Sequence, residues 1–397
     1  MKLIHTSDWH LGQNFFGFDR REDHANMVEQ LIGLVMEEQP DALIIAGDIY
    51  DVAAPNTSVQ KDFSEYIVKL HLACPGMKIV CISGNHDSAS RHEIYQAPWE
   101  ALNVKMIGKI DKENFDANII EVPGKGWIVA VPYINERFLD ENFYSLLEAK
   151  TKEVTGEDLP VVYVGHSAIS GTDFTGHQKQ NDRFIGGIEC TGLEQLGSHY
   201  DYVALGHIHK AQTFGEGRAR YCGTPLPVSF DEVRSGYEHG FDIVEINMHG
   251  EIPNIRTVGV KYKHHLVNIP SEGHAPWADV IKDVRSFPAD IPAYLRLNVL
   301  MKENEVLPYN RDNLIEEALK GKLAQCATIN PVREEVAFER DENDALGPLT
   351  VQELQNIDHK KILTEYANGE GFVFTDEFER MFNKVYNIVT DADYENQ

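Results

Sequence analysis

Cysteine is scarce, and its arrangement excludes more than its number does. The five cysteines, Cys74, Cys81, Cys190, Cys222 and Cys326, are odd in count, widely spaced and never paired as CxxC. Neither a disulfide framework nor a zinc ribbon is expected from that pattern. Basic residues are also short: 36 Lys and Arg stand against 63 Asp and Glu, a net charge of −27. A free-standing nucleic-acid binder needs the opposite balance, so any such contact has to be local, ion-assisted or supplied by a partner. Long apolar runs are missing too. Stretches such as Ala42 to Ala46 fall far below the roughly 20 residues that span a bilayer. The chain opens on a strand-like KLIHTS with no apolar signal core. A soluble, unprocessed protein of the reducing cytoplasm is expected, with no membrane association.

With 42% hydrophobic residues in a length of 397, the chain can bury at least one large core. From residue 1 to about 265, short apolar runs alternate with amphipathic stretches, the pattern of an α/β core. Strands are predicted at Leu3 to Thr6, Ala42 to Ala46, Lys78 to Ser83, Trp127 to Pro132, Pro160 to Gly165, Tyr202 to Gly206 and Phe241 to Ile246. Helices are predicted where Met27, Val28, Leu31 and Val35, and then Val59, Phe63, Tyr66, Ile67 and Leu70, fall on one face. A smaller α+β unit is predicted over 266–338. Its parts are a helix carrying Trp277, Val280, Ile281 and Val284, a strand with Leu295, Leu297 and Val299, a helix from Leu314 to Leu323, and a strand from Val332 to Phe338. The charged run Glu339 to Asp344 with Gly347 and Pro348 reads as a linker into helices over 339–397. Thr350 and Glu353 suit a capping box there, and Phe378, Met381, Phe382, Val385 and Val389 line one face of the last helix.

Five motifs occur in order, four of them directly after a predicted strand: SDWH (Ser7 to His10), GDIYD (Gly47 to Asp51), GNHD (Gly84 to Asp87), GHS (Gly165 to Ser167) and GHIH (Gly206 to His209). Loops at strand ends are where α/β sheets present ligands. Asp8 and His10 are two apart, so in an extended segment both side chains leave one side of the backbone, and His207 and His209 repeat that spacing. Oxygen and imidazole donors drawn from distant positions onto one rim, with glycines behind them, are what a pair of metal ions requires.

The ordered set resembles the calcineurin-like metallophosphoesterase superfamily. HTSDWHLGQNF from His5, DYVALGHIHKAQ from Asp201 and YCGTPLPVSFDE from Tyr221 narrow the resemblance to the SbcD nuclease family. The resemblance implies a β-sandwich flanked by helices, with a small α+β capping domain and a C-terminal helical segment. It implies Asp8 and His10 on a first metal ion, Asp48 bridging two, Asn85 and His166 on the second, His207 completing the second and His209 the first. His86 is then assigned to the substrate, oriented by Asp87. Cys222 to Thr224 and Gly236 to Gly240 depart from the family's commoner wording, which bears on the substrate groove and leaves the ligand set intact.

Ligands of this mixture suit manganese or iron better than calcium, with zinc or magnesium as alternatives. Two divalent ions about 3.5–4 Å apart acidify a bridging water and clamp a phosphodiester. The implied activity is that of an ATP-dependent double-strand exonuclease and single-strand or hairpin endonuclease in DNA repair and recombination, paired with an SbcC-type coiled-coil ATPase and forming a homodimer. The Phe378 to Val389 stripe is the candidate docking helix, with packing on its own domain as the alternative. The alternatives are another phosphodiesterase or phosphatase of the superfamily, or a non-catalytic scaffold. Protein phosphatases carry Arg after GDxxD and Glu after GNH, where Val52 and Asp87 stand here. Asp51 is expected to be structural. His5, His24, His92, His177 and His199 are expected to be core or surface histidines, and Arg20, Arg91, Lys179, Arg183 and Lys210 mostly solvated.

Overall fold

The apolar runs fold into two six-stranded sheets packed face to face, with helices on both outer surfaces. The structure is a computed structural model that describes residues 1–334 apart from 95, 136–138, 175–189 and 236–237. The described residues fall within one compact unit, Met1–Glu334. One sheet runs Asn254–Gly259, Gly240–Glu245, Lys2–Thr6, Ala42–Ala46, Lys78–Ile82 and Val104–Ile107, the last four mutually parallel. The other runs Gln212–Phe214, Ala219–Tyr221, Tyr202–Gly206, Val161–His166, Gly126–Ala130 and Ile119–Val122, parallel across its four central strands.

Period-two geometry explains why the central strands read as unbroken apolar runs. Leu3, Ile44, Val80, Val162 and Ala204 point into the space between the sheets. Their neighbours Ile4, Leu43, Ile45 and Ile79 point outward, against the helices Arg21–Glu38 and Thr57–Ala73. Each such side chain contributes roughly 1.5–3 kcal/mol when fully buried, so both faces of these strands are needed. Asn56 starts the second helix by accepting the Val59 N–H at 3.0 Å. Helix Phe143–Thr155 covers the outer face of the second sheet.

A three-stranded parallel sheet, His265–Ile269, Ala293–Met301 and Ala324–Arg333, carries the helices Trp277–Ser286 and Arg311–Leu319 on one face. Val280, Val284, Leu295, Leu297, Val299 and Ile315 form its core. The strand predicted from Val332 is corrected, since the ladder runs Ala324–Arg333 and Val332 lies near its end. The opposite face of this sheet is also occupied: Leu266 and Tyr294 pack with Phe15 and Phe230, and Asn298 is fully buried.

The linker, the capping box and the Phe378 to Val389 stripe lie outside the described residues, as do His177, Lys179 and Arg183. Among the described residues no helix is long and apolar enough to cross a membrane.

Candidate metal centre

Every motif lands at the C-terminal end of a parallel strand. Lys2–Thr6 leads to Asp8, Ala42–Ala46 to Asp48, Lys78–Ile82 to Asn85, Val161–His166 ends on His166, and Tyr202–Gly206 leads to His207. The first two loops continue the sheet beyond its strands: Asp8 N donates to Gly47 O at 2.9 Å, His10 N to Asp48 O at 3.1 Å and Leu11 N to Ile49 O at 2.9 Å. Their side chains reach the rim because the backbone turns left-handed at Asp8, His10, Asp48 and His207, with φ of 52°, 46°, 48° and 91°. For residues other than glycine that conformation costs about 1–2 kcal/mol each, an expense that marks a site where position outranks local stability. At Gly84 no other residue fits, since a Cβ would stand 2.1 Å from Asp48 Oδ1.

The structure brings the seven predicted ligands into one cluster. Asp8, His10 and His209 form one group and Asp8, Asp48 and His166 another, the donor atoms of each lying within 4.8 Å of one another. Asn85 Oδ1 joins them, 3.1 Å from His166 Nε2 and 2.9 Å from His207 Nδ1. The His207 N–H faces both Asp8 carboxylate oxygens at 3.2 Å.

Hydrogen bonds behind the rings decide what the front can do. His166 Nδ1 donates to Ala46 O at 2.7 Å, His209 Nδ1 lies 2.9 Å from the Glu232 carboxylate, and His10 Nδ1 lies 3.4 Å from that of Asp51. These acceptors hold the protons on the rear nitrogens, so that each ring, when neutral, turns the Nε2 lone pair toward the centre. His10 Nε2 and His209 Nε2 then face each other at 3.3 Å, and His166 Nε2 faces Asp48 Oδ2 at 3.3 Å. Lone pairs opposed at this range require positive charge between them.

The titration shifts express the same demand. Burial opposes a charged His10, but the Asp51 hydrogen bond and the charges of Asp48 and Asp8 raise its pKa to about 9. Burial likewise opposes a charged His166, and Asp48, Asp8 and the Ala46 carbonyl raise it to about 9. Burial would push the Asp48 carboxyl up, yet His166, His10 and His86 hold it well below the usual carboxylate range. A cluster that gathers protons so strongly when no other cation competes has the donor set of a divalent metal site.

A family model described as calcineurin-like phosphoesterase matches residues 1–211, more than half of the 397. The chain belongs to the calcineurin-like phosphoesterase family. This phosphoesterase is similar to proteins named as the SbcD subunit of the nuclease SbcCD. It is 27% identical to that of Rhodobacter capsulatus over 308 residues, 71% of this chain and 74% of the relative. The Escherichia coli protein is 28% identical over 261 residues, covering 60% of this chain and 64% of the relative. The Bacillus subtilis protein is 30% identical over 269 residues, covering 62% and 66%. Against the last two, the matched stretch is just under two thirds of the relative's length.

In this calcineurin-like phosphoesterase one assignment made from the sequence is corrected. Asp87 does not orient His86. Its carboxylate accepts the backbone N–H groups of Ile49, Tyr50 and Gly84 at 3.1, 3.0 and 2.9 Å, which pins the Asp48 loop to the Asn85 loop. His86 Nδ1 instead donates to the Asp51 carbonyl at 2.9 Å, and the His86 N–H donates to Asp48 Oδ1 at 2.8 Å. The His86 ring stands 5.0 Å from that of His10, edge to face. Asp51 therefore serves two imidazoles, His10 through its carboxylate and His86 through its carbonyl. Glu232 drew no notice in the sequence although it closes the YCGTPLPVSFDE stretch. His5, His24, His92 and His199 are buried. Arg20 is also buried, not solvated: it donates to Pro227 O at 2.6 Å and lies over the Phe15 ring.

Proposed function

We propose that this phosphoesterase is the metal-dependent nuclease subunit of an SbcCD-type complex, hydrolysing DNA phosphodiesters with two divalent ions, manganese first among them. The observation that carries the reading is the convergence of Asp8, His10, Asp48, Asn85, His166, His207 and His209 on one rim, with the rear nitrogens of His10, His166 and His209 held by acceptors. Asp8 and His10 with His209 would hold one ion, Asn85, His166 and His207 the other, and Asp48 both. Asp48 suits the shared place because His166 and His10 both act on its charge. Bound ions would supply Lewis acidity to the phosphodiester and a water of lowered pKa.

The chain's own residues do the rest. As the imidazolium, with its Nδ1–H committed to the Asp51 carbonyl, His86 would donate from Nε2–H to a substrate phosphate or pass that proton to the departing 3′ oxygen. Asp51 fixes that ring, and Asp87 fixes the two loops around it. The net charge of −27 leaves the DNA surface to a partner, for which an SbcC-type ATPase is the proposal. Assembly as a homodimer, action on DNA ends and hairpins, and a nucleoid-associated cytoplasmic place belong to the same proposal. So does the division at residue 265, supported by the separate core around Leu295 and Val284.

The test is end-labelled duplex DNA incubated with the purified chain, manganese, an SbcC-type ATPase and ATP. Progressive shortening from the ends is expected, abolished by chelation. Intact DNA under all these conditions would contradict the nuclease reading.

A further inference from the structure

The fully buried Glu232 carboxylate sits directly behind a ring of the metal centre, and the residues on its N-terminal side are gripped by a different part of the fold. Its Oε1 lies 2.9 Å from His209 Nδ1, while Oε2 accepts the Val228 N–H at 2.9 Å. A carboxylate so placed accepts the Nδ1 proton, and so it sets both ring tautomer and ring direction. Asp231 and Phe230 are held from the three-stranded sheet. Arg296, on strand Ala293–Met301, donates to Asp231 Oδ1 at 2.6 Å and lies over the Phe230 ring at 5.3 Å. Asn268, on strand His265–Ile269, donates to Phe230 O at 3.0 Å and accepts from Arg296 Nε at 2.7 Å. Asn268 and Asn298 are buried polar residues on the face of that sheet turned away from its own helices, and Asn298 donates to Asn268 Oδ1 at 3.4 Å.

We propose that Glu232 is the positioning residue for His209 and that the Arg296–Asn268 pair is a latch on Phe230 and Asp231 that sets it. The seating of the three-stranded sheet then governs how tightly the ion at Asp8, His10 and His209 is held. Two consecutive residues separate the latch from the carboxylate, so a shift of the small sheet reaches His209 through one short stretch of chain. This rests on the metal-centre part of the reading above, and not on the identity of the substrate.

Manganese is titrated calorimetrically, without DNA, into the full wild-type chain, Glu232→Gln, Arg296→Met, and the charge-reversed double variant Asp231→Arg with Arg296→Asp. Thermal melts establish that each is folded. Groups behind a ligand are worth about 10- to 100-fold in metal affinity. Glu232→Gln and Arg296→Met are expected to weaken one of two bound ions by roughly that factor and leave the other unchanged. The double variant is expected to recover most of the loss, which general loosening would not reproduce. The latch is overturned by wild-type affinities in Glu232→Gln and Arg296→Met, by equal weakening of both ions, or by no recovery in the double variant. Failure of the wild-type chain to bind manganese at all would overturn the metal centre itself.

Discussion

Asp48→Asn is expected to abolish DNA cleavage, by more than about a thousandfold, because a group in the place proposed for Asp48, on both ions, must exceed the roughly 10- to 100-fold worth of groups one shell further out. Asparagine keeps the shape and an oxygen to accept the His86 N–H, which Asp48 Oδ1 now takes at 2.8 Å. What it removes is a buried negative charge in contact with His166. Metal-free protein is therefore expected to melt as a folded, cooperative unit in both forms. The difference appears on adding manganese. A ligand at a hundred times its dissociation constant stabilises the folded state by about 2.7 kcal/mol, so the wild type is expected to gain several degrees and Asp48→Asn little. Thermal melts across a manganese titration, beside the cleavage assay, check both halves. Equal stabilisation of the two proteins would remove Asp48 from the metal centre.

His86→Ala has the second-largest expected effect, and a different signature. A positioned general acid or base contributes about 10²–10⁴-fold, and His86 stands beside the cluster with its backbone on Asp48 and its ring on the Asp51 carbonyl. The turnover number is expected to fall by that factor while manganese affinity stays near wild type. Asp87→Asn is expected to act differently, through the three N–H groups that its carboxylate holds, lowering melting temperature and metal affinity together. A His86→Ala enzyme with undiminished turnover, or one that no longer takes up manganese, would contradict the assignment.

Most of the candidate ligand set was legible because the motifs stand at strand ends and two of them, SDWH and GHIH, pair donors at a spacing of two. The groups that stabilise those donors were not. Asp51 and Glu232 act on His10 and His209, which lie at unrelated spacings from them, and a carboxylate accepting from the back of an imidazole leaves no periodic trace. Asp87 misled for a related reason. Adjacency to His86 suggested a contact, but a carboxylate able to take three buried N–H groups turns toward them.

The same contrast holds for the fold. Strands buried on both faces announce themselves as apolar runs, and Ala42–Ala46 and Tyr202–Gly206 keep their predicted limits. Edge strands were missed. Asn254–Gly259 has no fully buried residue, and Gln212–Phe214 is three residues long with none buried; the strand beside it, Ala219–Tyr221, is equally short, and its Arg220 turns to Asp242. His265–Ile269 escaped because its polar residues serve a second interface: Asn268 binds Phe230 O. Arg296 and Asn298 alternate with the core residues Leu295, Leu297 and Val299, and they are part of the contact that leads to Glu232.

The number and place of bound ions test the central claim most directly. An anomalous difference map from crystals of the full chain soaked in manganese is expected to show two peaks, one among Asp8, His10 and His209 and one among Asn85, His166 and His207, with Asp48 between them. A single peak, or none within reach of these side chains, would contradict a two-ion phosphodiesterase.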